Sequence, residues 1–275
     1  MKHVKKLIAL CSLGLVLTAC GGGGNTAKTA PDEGEKTVRL GVVGEDNRVW
    51  DATAKKLKEK GIDLEIVTFT DYNQPNDALA AGDLDLNAFQ HRIFLQNYNE
   101  DKGTHLVPIA NTQLAPLGIF SQKVKDVKDL PDGSKIAIPD DVTNKARALR
   151  LLESAGLITL EAKDDIKISE KDVKDNPKHL DIVAMDASQT ARSLPDVGAS
   201  VINGGMAIDA GLHPKNDAIY RETLDEHSEP YFNIIVAREE DKDNPLYQEV
   251  VKAYHTDENK KLLEDIYQGS YIPLW

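Results

Sequence analysis

Cysteine is nearly absent from this chain. Of 275 residues only Cys11 and Cys20 are cysteines, so the body after residue 20 offers no disulfide, no thiolate metal ligand and no cysteine nucleophile. Positive charge is also short. Lys and Arg number 33 against 45 Asp and Glu, a formal net charge of −12. Residues 1–19 hold three lysines and no acid, which leaves 30 basic and 45 acidic residues beyond them, a net of −15. Such a body opposes nucleic acid and a free membrane-surface patch, though it is compatible with one local basic pocket for a small anion. Past the N-terminus no apolar run is long enough to span a bilayer. There is no internal repeat.

Sequence signatures of common chemistry are missing too. There is no Gly-x-x-x-x-Gly-Lys phosphate loop, no Gly-x-Gly-x-x-Gly after the first expected strand, no Gly-x-Ser-x-Gly elbow and no His-Glu-x-x-His pair. His91, His105, His179, His213, His227 and His255 are scattered, with no pair at helical spacing to hold a metal. The segment from Asp83 to Asn87 begins like a calcium loop. It fails because Ala88 stands where glycine is required and Phe94 where the bidentate glutamate belongs. No metal and no cofactor is expected. Acid or base carboxylates need no such signature, but an enzyme, for example a secreted hydrolase, is the minority reading.

What is present begins with an address. Lys2, Lys5 and Lys6 precede an apolar run over residues 7–17, and Leu17-Thr18-Ala19-Cys20 follows. The tetrad resembles the bacterial lipobox, whose cleavage leaves the cysteine as an acylated N-terminus; a plain secretory signal with an incidental cysteine is the alternative. Residues 1–19 are therefore taken as a lipoprotein signal peptide and Cys20 as the lipidation site. Residues 20–36, rich in Gly, Thr, Ala, Pro and Glu, form a flexible tether. The expected place is the cell membrane, lipid-anchored, on its extracellular or periplasmic side.

Beyond the tether, strands and helices alternate. Buried strands are expected over 38–43, 64–69, 84–88, 106–109, 117–120, 136–139, 182–185, 199–202 and 231–237. Helices fall between them, two with clear punctuation: one opened by Pro75 and closed by Gly82, one running from Asp141 to Gly156. Two amphipathic helices close the chain, carrying Leu246, Val250, Val251 and Tyr254, then Leu262, Leu263 and Ile266. The pattern is α/β. It favours two lobes, each a mixed, mostly parallel sheet flanked by helices, with a ligand in the cleft between them. Lobe I is expected over 37–121, lobe II over 122–228, and a return segment of lobe I over 229–275. The passages between lobes are read at 122–134 and 223–230, from their Lys, Asp, Pro and Gly content.

Four stretches look like a pocket. In the first, Ile136-Ala137-Ile138-Pro139 leads through a polar turn into a helix with cap candidates Asp141, Thr143 and Asn144, and with Arg147 near its start. A cation there is disfavoured by the helix dipole unless an anion binds, whereas a surface Arg147 would pair with Asp140 or Asp141. Asn87-Ala88-Phe89-Gln90-His91 follows a short strand, and Phe89 with His91 could wall a pocket or serve as core and cap. Val201-Ile202-Asn203-Gly204-Gly205-Met206 ends a strand on a polar side chain and two glycines. In Tyr231-Phe232-Asn233-Ile234-Ile235-Val236, Asn233 interrupts an apolar strand, so its amide is there for a partner.

Together with the lipobox, these stretches closely resemble the NlpA/MetQ family of methionine-binding lipoproteins. The likeness runs from about Val38 to Trp275 and includes Val67-Thr68-Phe69-Thr70-Asp71-Tyr72 and Pro75-Asn76-Asp77-Ala78-Leu79. The resemblance implies a two-lobed, type II periplasmic-binding-protein fold. It implies capture of methionine, L or D, for an ABC importer whose permease and ATPase are separate chains. A receptor for another small amino acid or a short peptide, such as a methionine-containing dipeptide, is the alternative. It further implies that Arg147 takes the ligand carboxylate and Asn233 the amino acid backbone, with Asn144, Asn203, Phe89, His91 and Tyr72 lining the cleft. Ala115 and Met206 stand where methionine-binding members often carry an aromatic and a tyrosine. A monomer is expected, with no nucleic acid partner.

Overall fold

A computed structural model describes residues 36–161, 167–225 and 228–275. The leader, Cys20 and the tether up to residue 35 lie outside the described residues. The chain opens with β1 (Lys36–Val43), α1 (Arg48–Lys58), β2 (Ile62–Phe69), α2 (Gln74–Ala81), β3 (Leu86–Asn87), α3 (Arg92–Lys102) and β4 (Leu106–Asn111). Then come β5 (Gln113–Leu114), β6 (Gly118–Phe120), β7 (Lys135–Pro139), α4 (Val142–Ser154), β8 (Thr159–Leu160), β9 (Val173–Asp175), β10 (Asp181–Met185) and α5 (Ala187–Thr190). The last part holds β11 (Ala199–Ile202), α6 (Gly204–Asp209), α7 (Pro214–Asp217), β12 (Ala218–Arg221), β13 (Ile234–Arg238), α8 (Pro245–Tyr254), α9 (Asp257–Tyr267) and β14 (Ile272–Pro273).

The strands build two five-stranded sheets, ordered β2-β1-β3-β13-β4 and β10-β7-β11-β6-β12. Each sheet centres one lobe. In each, three strands are joined in parallel, β2-β1-β3 and β10-β7-β11, and the other two are added antiparallel. The sheets are thus mixed, with antiparallel pairs as numerous as parallel ones. The reason is that β13 and β6 each enter a sheet from a crossover rather than from the strand–helix alternation that the sequence pattern displays.

Local chemistry accounts for the elements. On β1, Val38, Leu40 and Val42 alternate into the first core. On α1, Val49, Trp50, Thr53 and Leu57 recur at helical spacing and form its buried face. Pro75 stands in the first turn of α2, and Gly82 ends it with φ +83°, a left-handed conformation that glycine adopts without a Cβ clash. The second core gathers Ile136 and Ile138 of β7, Leu149 and Leu152 of α4, and Val201 of β11. No helix among the described residues is long and apolar enough to cross a membrane.

One expected boundary moves. Strand β6 pairs antiparallel with β11 and β12, so the chain has already crossed into the second sheet at Gly118, before residue 121. A buried apolar run suits either core, and nothing local tells which. The charged stretch after it is a surface turn of the second lobe that buries Val127 and Leu130 in that lobe's core. The crossings run instead through 112–117 and through 222–225 with 228–233. In the first of them, β5 pairs with β14, with Gln113 opposite Pro273 and Leu114 opposite Ile272.

Candidate ligand-binding cleft

A cavity of about 1100 Å³, part of it open to solvent, lies where the carboxyl ends of β1, β3 and β11 converge, the usual ligand position in open α/β sheets. Tyr72, Phe89, His91, Ala115, Asn144, Arg147, Asn203, Met206 and Asn233 all line it. The two lobes meet across it through named side chains.

The second lobe supplies a fixed polar wall. Asp141 caps α4 by accepting the Asn144 N–H at 2.9 Å, and it also accepts from the Asn144 amide at 3.0 and 3.1 Å and from the Thr143 hydroxyl at 3.0 Å. These bonds commit Asn144 Nδ2 as a donor, so its Oδ1 faces outward. That oxygen accepts from Asn203 Nδ2 at 2.8 Å and lies 3.3 Å from His91 Nε2. The His91 tautomer follows. Nδ1 accepts the Phe94 N–H at 3.1 Å, capping α3, so the proton sits on Nε2 and points at Asn144. Burial, and then the Arg147 charge, hold His91 neutral by pushing its pKa down to about 3. With Asn203 Nδ2 committed, its Oδ1 is left buried without a partner among the described residues. A buried acceptor of this kind calls for a donor from the ligand.

Arg147 lies three residues after Asn144 and so on the same face of α4, while Ala148, Leu149, Leu151 and Leu152 pack inward. It is the sixth residue of α4, in the second turn, where the dipole of the helix start no longer opposes a cation. It is only 4% exposed, which removes the surface reading, and it pairs with neither Asp140 nor Asp141. Its partner is Glu222, reached from Nε at 2.8 Å and Nη2 at 2.5 Å, and Nη2 also donates to the Ala115 carbonyl at 3.2 Å. The Tyr231 ring lies under the guanidinium, 4.3 Å from Cζ to its centroid. Nη1 makes no hydrogen bond to another described residue.

The first lobe supplies an apolar wall. Tyr72, Phe89 and Phe94 lie at centroid distances of 5.8–6.1 Å from one another. Behind them Asn76, Asn87 and Gln90, each buried, join their amides in a closed set of bonds of 2.5–3.0 Å. That set fixes the loop between β3 and α3.

A set of known proteins matches the chain in sequence and in fold. The family model described as NlpA lipoprotein matches residues 38–275. The chain belongs to the NlpA lipoprotein family. Outer membrane lipoprotein 3 of Mannheimia haemolytica is 41% identical over the full length of both chains. The D-methionine-binding lipoprotein MetQ of Escherichia coli is 39% identical, covering 86% of this chain and 88% of that one. A solved nutrient binding protein from Burkholderia cenocepacia, bound to methionine, is 40% identical with a TM-score of 0.83, covering 86% of this chain and all of that one.

Within this family member several residues sit otherwise than the sequence suggests. Asn233 precedes β13 instead of lying inside a strand; it forms a single bridge to His91. Its backbone is held between the crossings, with its N–H on the Gln113 carbonyl at 3.0 Å and its carbonyl accepting from Thr112 at 2.8 Å. The Asn233 amide makes no hydrogen bond to another described residue. Ala115 contributes its carbonyl to Arg147, and the Tyr271 ring packs beside it against Gly204, where an added Cβ would sit 3.0 Å from the ring. Met206 is buried in a cluster with Ile202 and Ala207, against which Val43 and Tyr72 pack. Glu222, Tyr231, Tyr271 and the Asn76–Gln90 pair escape a reading of the sequence, because each acts through a residue distant along the chain. Phe94 was within reach, three residues after His91 at a helix start.

Proposed function

We propose that this protein is the lipid-anchored, substrate-binding component of an ABC importer, and that it captures free methionine outside the membrane. The observation that carries this is a single cavity holding a buried guanidinium edge, a buried amide oxygen without a partner and a wall of three aromatic rings. Arg147 Nη1 meets the ligand carboxylate, Asn203 Oδ1 accepts from its ammonium, and Asn233 orients the backbone between them. The thioether lies against Tyr72, Phe89 and Phe94, where sulfur–aromatic contacts contribute about 0.3–1.5 kcal/mol each. The E. coli relative, described as binding D-methionine, and the methionine-bound Burkholderia protein support the choice of ligand.

In this reading the protein performs no chemistry. Closure of the two lobes over the ligand is the whole of its work, and a separate permease and ATPase take the ligand across. The deciding experiment is mass spectrometry of what denaturation releases from freshly purified protein. Methionine is expected, and recovery of a sugar, a metal chelate or a polyamine refutes the reading. Attachment is tested separately. Cys20→Ser should yield a protein that leaves the membrane fraction and still binds ligand, since anchoring through acyl chains would then be lost. Retention in the membrane after high-salt washing would exclude a lipid anchor at Cys20.

A further inference from the structure

Glu222 does not line the cavity, yet it decides how Arg147 meets it. Its carboxylate takes the Nε and Nη2 edge of the guanidinium, and Oε2 also accepts the Leu117 N–H at 3.1 Å. Its own N–H donates to the Leu117 carbonyl at 3.0 Å, which ties it to the other crossing. With Tyr231 covering one face and Ala115 taking a further Nη2 donor, Arg147 has one edge left for a ligand. Glu222 therefore positions that edge. It also cancels the charge behind it. Arg147 is 4% exposed and the Glu222 side chain 19%, so water screens the pair little.

A neutral pair changes what the cleft accepts. An unbalanced guanidinium would welcome any carboxylate. Here an incoming carboxylate leaves a net negative charge in the closing cleft unless the ligand brings its own cation. The other charged groups on the lining do not supply one: Asp46 is paired with Arg48, and Asp209 is acidic and lies at the exposed rim. We propose that Glu222 is the residue that sets ligand charge, restricting the cleft to zwitterions by neutralising the Arg147 guanidinium from behind. This deepens the proposed function and rests on its assignment of Arg147 to the ligand carboxylate.

The test compares three ligands of one side chain by calorimetric titration on the detergent-solubilised full-length lipoprotein, freed of ligand by dialysis. Methionine is the zwitterion, N-acetylmethionine the anion and methionine amide the cation. Glu222→Gln keeps an acceptor for Arg147 and removes the charge. Relative to methionine, it should bind the anion about tenfold better than the wild type does and the cation several-fold worse. Steric effects of the acetyl and amide groups cancel in this comparison of ratios. Shifts of opposite sign are the signature, since a merely structural role weakens all three ligands by one factor, and that result would overturn the proposal. Glu222→Asp retains the charge on a shorter arm and should keep the wild-type order of the three ligands; a changed order would equally overturn it, even if the Gln variant failed to fold. A wild type that binds no methionine would instead count against the proposed function.

Discussion

The two lobes repeat one sheet order and give the cleft different things. In each, a parallel trio brings strand ends to the cavity, β1 and β3 from one and β11 from the other, and a strand from a crossing enters beside it. From the second lobe come hydrogen-bonding groups: Asn144, Arg147 and Asn203. From the first come mainly rings: Tyr72, Phe89 and Phe94. Both lobes fix their contribution with buried polar bonds, the Asp141–Asn144–Asn203 chain on one side and the Asn76–Asn87–Gln90 set on the other. The comparison separates two tasks that a single binding constant blends. Under the proposed function, one lobe reads the backbone of the ligand and the other reads its side chain.

The sharpest way to break this division is at Arg147. Arg147→Ala should lower ligand affinity by at least about tenfold, since charge-assisted bonds are worth roughly 1.5–3 kcal/mol. It should also destabilise the ligand-free protein by about 3 kcal/mol, because Glu222 is left in a shielded place without its partner. Titration with methionine and a ligand-free urea melt measure the two effects. Unchanged affinity would remove the second lobe from backbone recognition.

That stability loss was not visible in the sequence, and the reason is instructive. The spacing of Asn144 and Arg147, three apart after an N-cap, could be read locally, and so could the strand ends at Phe89 and Asn203. Glu222 lies 75 residues from Arg147 along the chain. No periodicity or cap ties the two together, so only the fold reveals which acid accompanies the guanidinium. The parallel strands were legible for the same reason as the helices, through short-range pattern. The placement of β6 was not, because membership of a sheet is a long-range property.

The matching test of the first lobe is Asn76→Leu. It removes the residue that both accepts from and donates to its neighbours, leaving the Asn87 and Gln90 amides short of partners at near-zero exposure. A loss of about 2–3 kcal/mol is expected in a urea melt. Side-chain discrimination between methionine and a non-sulfur analogue should narrow, while carboxylate dependence persists. Equal loss of both would contradict the separation of tasks.

His91 belongs to the first lobe but bonds to the second, and its signature is pH. Its folded pKa of about 3 lies below its ordinary value, so the unfolded chain binds the extra proton as pH falls through 6.5 toward 3. Its contribution is therefore complete above about pH 6.5 and lost progressively below. At pH 5.5 this amounts to about 1.4 kcal/mol relative to pH 7.5. Subtracting the pH profile of His91→Gln from that of the wild type should expose this slope. Parallel profiles would show that His91 is not held neutral.

The smallest effect concerns the rim. Asp209 of the second lobe accepts the Glu45 N–H of the first at 3.1 Å, in an exposed position. Asp209→Ala should cost no more than about 0.5 kcal/mol of stability and weaken binding less than about threefold, as exposed contacts do. A larger drop in affinity would make the rim a third determinant of closure.

The position of β13 has a consequence for how the molecule is made. This strand lies inside the first sheet, between β3 and β4, yet it is built from Ile234–Arg238, after every strand of the second sheet. A chain synthesised from its N-terminus has the complete second sheet once Arg221 is out. At that moment β3 and β4 still wait for the strand that joins them, with open edges that invite pairing with other chains. A nascent chain stopped after residue 225 would hold one finished lobe and one incomplete lobe. The lobe whose residues emerge first is the one that closes last.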